Sequence, residues 1–351
     1  MHPVLAPGRR RLWRDSTRLQ LGRSGKAAVV LCGLTGQDRG VLQLLDGTRS
    51  RAQVLEQVRA QLPDGAPGDR AAAAERAELL LSRLDDAGLL GDAGAEIASL
   101  TGVSRPERER RGPDLVALCL THGPRAAAAM SRRARAAVVV DGAGRVGAAL
   151  AALLVTAGVG TVDVRDAGAV MPVDTGPGGL RPGEVGRPRE LAARDLLHEL
   201  APSAALTCRR PDLVVLTGPQ DRWPDPGLMA QDGLAHLVAR VEDLVGVVGP
   251  LVLPGSTACL HCLDLTRSDL DPDWPALAVQ LQRAASGPEP CDGVLAAAVA
   301  AQAALQVLDL VDGRAPAAVG GTLELATPGW RWRRRSWPVH PDCGCAWDQA
   351  A

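Results

Sequence analysis

The sequence predicts an α/β protein in which a βαβ unit follows a smaller α+β domain. Residues 136–140 form a short apolar run rich in valine, as expected for a strand that is buried on both faces. The glycine pattern GxGxxG follows at once, with its glycines at Gly142, Gly144 and Gly147. A helix-length apolar segment then leads to a second short apolar run at residues 162–164. Strand, glycine turn, helix and strand in this order predict a Rossmann-like, doubly wound fold.

Each glycine of this turn has a distinct expected role. The first glycine permits the tight turn, the second lets a phosphate approach the backbone, and the third lets the helix pack closely on the strand. Asp166 follows the second strand, where such folds place the acid that binds a ribose. Gly142, Gly144, Gly147 and Asp166 are therefore the predicted cofactor-binding residues. Whether a nucleotide binds there is a separate question from the fold.

Composition indicates a soluble globular protein of two or three domains. The chain has 351 residues, of which 46% are hydrophobic and 23% charged, and its net charge of −1 gives no general attraction to nucleic acid or anionic membranes. The basic N-terminus has no apolar segment of the kind found in signal peptides, and polar residues interrupt the most apolar helix, 294–311. Eight cysteines are too sparse for a disulfide scaffold. We therefore expect a cytoplasmic protein without a membrane span.

Residues 1–101 predict a separate domain with a small β element and three helices, the outline of a winged helix. Residues 19–21 and 27–31 predict a hairpin, and residues 89–90 begin a closing strand. Three helices are expected at 37–45, 51–62 and 71–87, the first two capped by Thr35 and Ser50.

The helix at residues 51–62 allows two interpretations of this domain. Winged helices generally bind DNA, but this helix carries Glu56 beside Arg51 and Arg59, without the dense cationic stripe that groove binding needs. Residues 44–58 resemble the PqqD-type RiPP recognition element, a peptide-binding winged helix. That resemblance implies that a leader peptide adds to a sheet edge as an extra strand. A scaffolding or dimerisation role is the remaining alternative.

The rest of the sequence predicts a connecting segment between the two domains and then further alternation of strands and helices. Residues 102–135 are expected to be a charged linker or solvated helix start at 102–113, a short strand-like run at 114–120 and a lead-in helix at 124–135. Residues 136–351 form the Rossmann-like domain. After Asp166 it continues with a surface loop at 167–183, helices at 187–200 and 227–238, and strands at 206–208, 213–217 and 245–253.

Two cysteine pairs have the spacing of metal ligands. Cys259 and Cys262 form CxxC directly after a strand, and Cys343 and Cys345 form CxC near the C-terminus. Four thiolates favour a closed, tetrahedral zinc site, which is structural because no position stays open for water. A redox CxxC or a disulfide are the alternatives, and His261 and His340 are alternative ligands.

Tryptophan and arginine interleave over residues 330–337. The pattern could form a stacking surface for nucleic acid. We favour a strand whose tryptophans pack inward while its arginines point outward.

The glycine turn, the DLVVL run at residues 212–216, PGxTxCxxC and the second cysteine pair together resemble the ThiF/MoeB/HesA family, related to ubiquitin-activating enzymes. The resemblance covers roughly residues 130–346. It is strongest to the ThiF-like partner proteins of thiazole- and oxazole-forming cyclodehydratases, which carry a leader-binding module. It implies homodimers and, in active members, adenylation of the C-terminal carboxylate of a small carrier protein with Mg-ATP.

The sequence departs from the active family members around the phosphates. The second acid of their D-x-D motif falls on Gly168, and their Arg-containing S-N-L-x-R-Q segment is absent from residues 169–183. Arg189 replaces their ATP-contacting lysine, and their Mg-binding aspartate falls on Pro219, with Asp221 as a possible substitute. Arginine and lysine are not equivalent at a phosphate. Arg189 and Asp221 are the remaining catalytic candidates, and we expect a degenerate adenylation site.

The sequence therefore predicts a zinc-binding, ThiF-like protein that binds a leader peptide and presents a substrate to a partner modifying enzyme. One alternative is an active ATP-dependent adenylyltransferase acting on a small carrier protein. The other is a nucleotide-sensing regulator that binds DNA, although nucleic acid is the less expected partner.

Overall fold

The computed structural model describes residues 1–23, 28–61, 67–219, 223, 228–229, 232–281 and 291–345. The chain divides into two compact units, Met1–Ser131 and Arg132–Ala351.

Unit 1 contains two small antiparallel sheets and a set of helices. Its strands are β1 (Pro3–Leu5), β2 (Arg11–Trp13), β3 (Leu19–Leu21), β4 (Val29–Leu31) and β5 (Leu90–Asp92). Its helices are α1 (Gly36–Leu44), α2 (Arg51–Ala60), α3 (Pro67–Asp86), α4 (Ala93–Ala98) and α5 (Arg105–His122), and α6 (Ala126–Arg135) crosses the unit boundary. One sheet has the order β2-β3-β4, and the other pairs β1 with β5.

The first two helices of unit 1 begin at the predicted caps. The Thr35 hydroxyl accepts a hydrogen bond from the Asp38 amide, and the Ser50 hydroxyl accepts one from the Gln53 amide. Each cap satisfies an amide that would otherwise lack a partner at a helix N-terminus. Helices α1, α2 and α3 then bury one common apolar core, which includes Leu45 and Leu81.

Residues 105–122 form the single helix α5, so the helix-start interpretation of residues 102–113 is confirmed and the strand-like run expected at 114–120 is wrong. Ser104 caps its start, and Glu107 and Arg111, one helical turn apart, form a buried ion pair at 3.6 Å. Leu115 and Leu118 lie at helical spacing and pack in a satellite core. The apolar residues of 114–120 alone resemble those of a strand. Their packing in this core favours the helix instead.

Unit 2 is built on a seven-stranded mixed sheet. Its strands are β6 (Ala137–Asp141), β7 (Thr161–Arg165), β8 (Leu213–Leu216), β9 (His236–Glu242), β10 (Val245–Val252), β11 (Gly321–Ala326) and β12 (Arg331–Ser336). Its helices are α7 (Arg145–Thr156), α8 (Arg189–Leu200), α9 (Leu260–Leu270), α10 (Trp274–Leu281) and α11 (Gly293–Val311). The strand order is β12-β11-β10-β9-β8-β6-β7, parallel from β7 to β9 and antiparallel from β9 to β12.

The α/β prediction with a parallel, Rossmann-like core is confirmed for this unit. The βαβ unit β6-α7-β7 lies at the parallel end of the sheet, and α7 is buried along almost its whole length. Helix α11 is long and apolar enough to cross a bilayer by composition, with a mean hydropathy of 1.9. It packs one face into the domain core, as core helices of soluble proteins also do.

Two element predictions in unit 2 are wrong. The helix expected over residues 227–238 lies partly outside the described residues, and its last three residues belong to β9, which pairs in parallel with β8. Residues 206–208 are irregular, and the neighbouring Ala205 makes only an isolated bridge to Thr161. Both errors arise because short apolar runs do not distinguish a helix from a strand without their neighbours.

Candidate functional site

The glycine turn between β6 and α7 has the geometry expected of the three glycines. Gly142 has φ +108°, which side chains rarely adopt, and a Cβ atom there would lie 2.4 Å from the Gly218 amide nitrogen. A Cβ atom on Gly147 would lie 1.9 Å from the Gly142 carbonyl oxygen. A Cβ atom on Gly144 would meet only Asp174 Oδ1, at 3.8 Å. The first and third glycines are therefore required by packing, and the second leaves open space.

Asp166 lies beside this turn, where it binds backbone amides. Its Oδ2 atom accepts a hydrogen bond from the Ala143 amide at 2.8 Å, and its Oδ1 atom accepts one from the Gly168 amide at 2.8 Å. The carboxylate thereby fixes the turn and the loop that replaces the D-x-D motif.

Arg189, the first residue of α8, also reaches the turn. Its guanidinium lies 2.7 Å from Asp174 Oδ2 and 3.5 Å from Asp166 Oδ2. Asp174 Oδ2 also accepts a hydrogen bond from the Met171 amide. The Arg189 side chain is 20% exposed, and those of Asp166 and Asp174 are 6% and 9% exposed. We call this largely buried group of Asp166, Asp174 and Arg189 the acid–arginine cluster.

A second arginine near the turn is bound to the backbone. The Arg145 guanidinium donates to the carbonyl oxygens of Val173 and Cys291. Asp141, at the end of β6, is half-buried, and this burial raises the pKa of its carboxyl, with Asp166 adding a like charge. Arg165 acts in the opposite direction on that pKa.

The structure thus brings Gly142, Gly144, Gly147, Asp166 and Arg189 together. The other catalytic candidate, Asp221, lies outside the described residues. Sequence reasoning missed Asp174, which belongs to the segment predicted as an irregular loop. Its signal was weak, because it lies in a short 3₁₀ turn, Pro172–Asp174, that has no periodic pattern in the sequence.

The four predicted cysteines form one cluster in unit 2. Cys259 precedes α9, Cys262 lies in its first turn, and Cys343 and Cys345 come from the C-terminal segment. All four sulfur atoms lie within 4.8 Å of one another, and the separations from Cys259 to Cys343 and from Cys262 to Cys345 are both 3.4 Å. Tetrahedral ligands at about 2.3 Å from a zinc ion would be separated by similar distances. The cluster could hold a metal ion.

Burial and hydrogen bonds act in opposite directions on the pKa values of the cysteine cluster. Although burial acts to raise the pKa of Cys262, hydrogen bonds from the backbone of His340 and Cys259 and from the other thiols lower it. Burial raises the pKa of Cys345 to about 11. His340 points away from the sulfurs, since its Nε2 atom lies 2.9 Å from Asp269 Oδ2. Among the described residues, cysteines alone therefore supply the possible ligands of this cluster.

The tryptophan–arginine segment forms β12, but the prediction that its tryptophans pack inward holds for one residue only. Trp337, just after the strand, is buried against the cysteine cluster. Trp330 and Trp332 are 47% and 38% exposed. The inward-packing prediction is wrong for these two residues, which belong to the strand at the edge of the described sheet or directly precede it.

In unit 1, the arginine at the start of helix α2 is paired with acidic residues of α3. Arg51 makes ion pairs with Glu78 at 2.6 Å and Asp85 at 3.9 Å on α3. This pairing lowers the positive potential that DNA binding would need.

Comparisons with known proteins give one family match and several solved structures of similar fold. Residues 124–221 match the ThiF family, and no curated protein sequence matches the chain significantly. The structure of E. coli MccB with ATP has a TM-score of 0.67 at 13% identity, covering 99% of this chain and 100% of that chain. The Microcin C7 biosynthetic enzyme MccB with N-formylated MccA gives the same values. PaaA has a TM-score of 0.66 at 16% identity, covering 94% of this chain and 98% of that chain. At these identities the solved structures show a shared fold.

Proposed function

Residues 124–221 match the ThiF family. From this match we propose that the chain is a zinc-stabilised, peptide-binding protein that presents a substrate to a modifying enzyme. In this proposal unit 1 binds a leader peptide, and the Rossmann-like unit is a scaffold with a degenerate adenylation site. We expect the protein to work in the cytoplasm, as its composition indicates, and as a homodimer, as the family resemblance implies.

The observation that carries this proposal is a carboxylate at the position where a phosphate would approach. The open space beside Gly144 faces Asp174 Oδ1, 3.8 Å from the position of a Cβ atom. Within the acid–arginine cluster, the single guanidinium of Arg189 lies between two carboxylates, so the three side chains together carry a net negative charge. These groups are mostly removed from water, so their charges are screened less than charges on the surface. The carboxylates of this cluster would repel a triphosphate, whereas an active site would bind it with cationic groups.

Adenylation requires the opposite electrostatics. Negative charge develops on the transferring phosphate, and active sites stabilise it with cations or metal ions. Here Arg189 is engaged by Asp174, and Arg145 is engaged by two carbonyl groups. These contacts support a site that does not transfer nucleotides.

ATP–pyrophosphate exchange tests the missing chemistry. The zinc-replete full chain should show no exchange above background with Mg-ATP, either alone or with added C-terminal carboxylate peptides. Arg189→Ala should give the same background. Exchange in the wild-type protein that Arg189→Ala abolishes would refute the scaffold proposal and support an enzyme.

The peptide-binding part of the proposal rests on the sheet β2-β3-β4. Strand β4 pairs with β3 on one side and with no other strand among the described residues. Its residues Val29 and Leu31 are half-buried and pack against the core of unit 1. A peptide strand added at this edge would gain main-chain hydrogen bonds and apolar contacts together. Strand β2 is less suitable, since all three of its residues are exposed.

Hydrogen exchange can localise such a peptide. A random displayed peptide library is selected on the full chain, and the recovered peptides are added back at saturating concentration. Amide exchange should slow over residues 28–32 and over the added peptide itself. Slower exchange confined to unit 2 would contradict leader binding by unit 1.

We also propose that the metal of the cysteine cluster is zinc with a structural role. Four cysteine sulfurs close to tetrahedral separation favour zinc and leave no open position for substrate or water. Metal analysis of protein purified without chelators should give about one zinc per chain.

An ATP-dependent adenylyltransferase is the second candidate, and one observation favours it. The glycine turn keeps its open position at Gly144, with Asp166 and Arg189 nearby. MccB, which shares the fold over nearly the full length of both chains, has been crystallised with ATP. This candidate needs Arg189 to leave Asp174 for a phosphate, and it needs a metal-binding acid such as Asp221. The exchange assay distinguishes the two.

DNA binding is the third possibility, and the ion pairs of Arg51 with α3 weigh against it. The full chain should show no salt-dependent binding to duplex DNA, measured by fluorescence anisotropy.

A further inference from the structure

Strand β12 forms one edge of the sheet in unit 2. It pairs with β11 in an antiparallel register from Gly321–Ser336 to Ala326–Arg331. Its other edge faces no strand in the part of the chain that the structure describes, and all six of its residues are exposed. Alternate residues of an edge strand direct unpaired N–H and C=O groups outward. The edge can therefore accept an additional strand.

One face of this edge carries a row of positive charges. Arg331, Arg333 and Arg335 alternate along β12, so they share a face at intervals of about 7 Å. Arg335 forms an ion pair with Glu324 at 3.2 Å. Arg331 and Arg333 make no hydrogen bond or ion pair with any described residue. Two guanidinium groups of the row therefore remain available for a ligand.

The other face of the edge carries an exposed aromatic ring. Trp332 lies opposite Leu325, which is buried in the core, yet Trp332 is 38% exposed. Trp330, before the strand, is 47% exposed. Arginines alone would be explained as protection of a sheet edge against aggregation. Exposed tryptophans do not protect an edge, and tryptophan and arginine together are the residues enriched at the centres of protein interfaces.

Charge identifies the kind of strand that fits. Four of the six residues of β12 are arginine, so a second copy of β12 would place like charges opposite one another. Nucleic acid would engage the charges but would leave the unpaired main-chain groups without strand partners. An extended acidic peptide satisfies both, because its main chain pairs with the edge and its carboxylates meet the arginines.

We infer that the outer edge of β12 binds an acidic, extended segment of a partner protein as an eighth strand of the sheet. Acidic residues at every second position of that segment lie over Arg331 and Arg333. The residues between them are apolar and pack against Trp332. This site goes beyond the proposed function, since it lies in unit 2 and does not depend on leader binding by unit 1.

Fluorescence anisotropy with labelled model peptides tests this inference on the zinc-replete full chain. The probe is a short peptide of alternating glutamate and valine. Its controls are a lysine–valine peptide of equal length and an acidic peptide of equal charge in which proline replaces the valines, because proline removes the amides needed for pairing. The glutamate–valine peptide should bind saturably and more weakly as salt rises. Each control peptide should bind at least about tenfold more weakly than the glutamate–valine peptide.

Charge reversal at the edge supplies the decisive comparison. The double variant Arg331→Glu, Arg333→Glu should weaken binding by about tenfold or more, because each reversal exchanges an opposite-charge pair for a like-charge pair. Arg135→Glu is the matched control, since Arg135 is also an exposed arginine of unit 2 and should change affinity less than twofold. Circular dichroism checks that all variants fold, and the changed arginines have no described partner to lose.

Several outcomes would overturn the inference. These are no binding of the glutamate–valine peptide, equal binding of the proline-containing peptide, or an affinity unchanged by the double variant. A single-stranded oligonucleotide that binds more tightly than the acidic peptide, and is lost in the double variant, would assign the edge to nucleic acid instead. None of these outcomes bears on leader binding, which hydrogen exchange over residues 28–32 tests separately.

Discussion

Two glycines of the same turn differ in the space available for a side chain. A Cβ atom on Gly147 would lie 1.9 Å from a backbone oxygen of Gly142, which cannot move without disrupting β6. The nearest atom to a Cβ atom on Gly144 is a side-chain oxygen at 3.8 Å, an ordinary contact. The pattern GxGxxG thus combines one position fixed by packing with one left open.

Gly147→Ala should therefore lower the free energy of unfolding by about 1–3 kcal/mol, the typical cost of overpacking a core. Gly144→Ala is the matched control and should cost clearly less, since φ at Gly144 is −74° and a Cβ atom there would meet only Asp174 Oδ1, at 3.8 Å. Urea denaturation measures both. Equal effects of the two substitutions would contradict the geometry of the turn.

Asp174 is the residue on which the proposed loss of adenylation depends, and the sequence does not identify it. Asp166 could be predicted because it ends a strand at a fixed distance from the glycines. Asp174 lies in an irregular segment, and only the folded chain brings it to Gly144 and Arg189. A charged residue that an irregular loop places in a site, such as Asp174, belongs to no periodic pattern by which the sequence could reveal it.

At the scale of elements, the C-terminal segment is held by the cysteine cluster. Cys343 and Cys345 pack with Trp337 and the start of α9, far away in sequence. A tetrahedral metal ion would cross-link these segments and make metal binding part of folding.

Removing the metal should therefore destabilise the protein. Chelation, or Cys262→Ser, should lower the free energy of unfolding by about 4 kcal/mol when free zinc in the reference sample exceeds its Kd by about a thousandfold. Cys32→Ser is the control, because Cys32 is exposed and lies outside the cluster. Thermal unfolding followed by circular dichroism gives the comparison. An unchanged Tm after complete zinc removal would argue against a structural metal.

Helices and strands could be predicted where the pattern was long or capped, and were missed where it was short. The caps Thr35 and Ser50, the glycine turn and α11 all lie close to the expected positions. The strand-like run expected at 114–120, which lies within α5, and strand β9 were assigned wrongly, because short apolar runs do not distinguish a helix from a strand without their packing partners. The cysteine cluster could be predicted from its spacing, because two short motifs that bind the same metal ion must lie close together in the fold.

At the scale of the whole molecule, the exposed face of α11 suggests how two copies would associate in the proposed homodimer. Its exposed residues Val294, Ala297, Ala301 and Leu305 are all apolar and recur at helical spacing. Val294 and Leu305 are 70% and 56% exposed. A continuous apolar stripe of this kind is typical of a protein interface.

We expect light scattering to give the mass of two chains for the wild-type protein. Leu305→Arg should weaken association by about a hundredfold or more, since it would bury an unpaired charge. Leu191→Arg on α8 is the control, because Leu191 is also exposed, at 49%, but lies outside the stripe. A monomeric wild-type protein, or a dimer indifferent to Leu305→Arg, would remove α11 as the interface.

Calorimetric titration of the zinc-replete full chain with Mg-ATP tests most directly whether the glycine turn has lost the ability to bind a nucleotide. The acid–arginine cluster predicts no saturable binding up to about 1 mM, and none of NAD as comparator. Asp174→Asn removes the carboxylate beside Gly144 and should produce weak ATP binding where the wild-type protein shows none. Saturable ATP binding by the wild-type protein, weakened by Arg189→Ala, would contradict the account and identify an active nucleotide site.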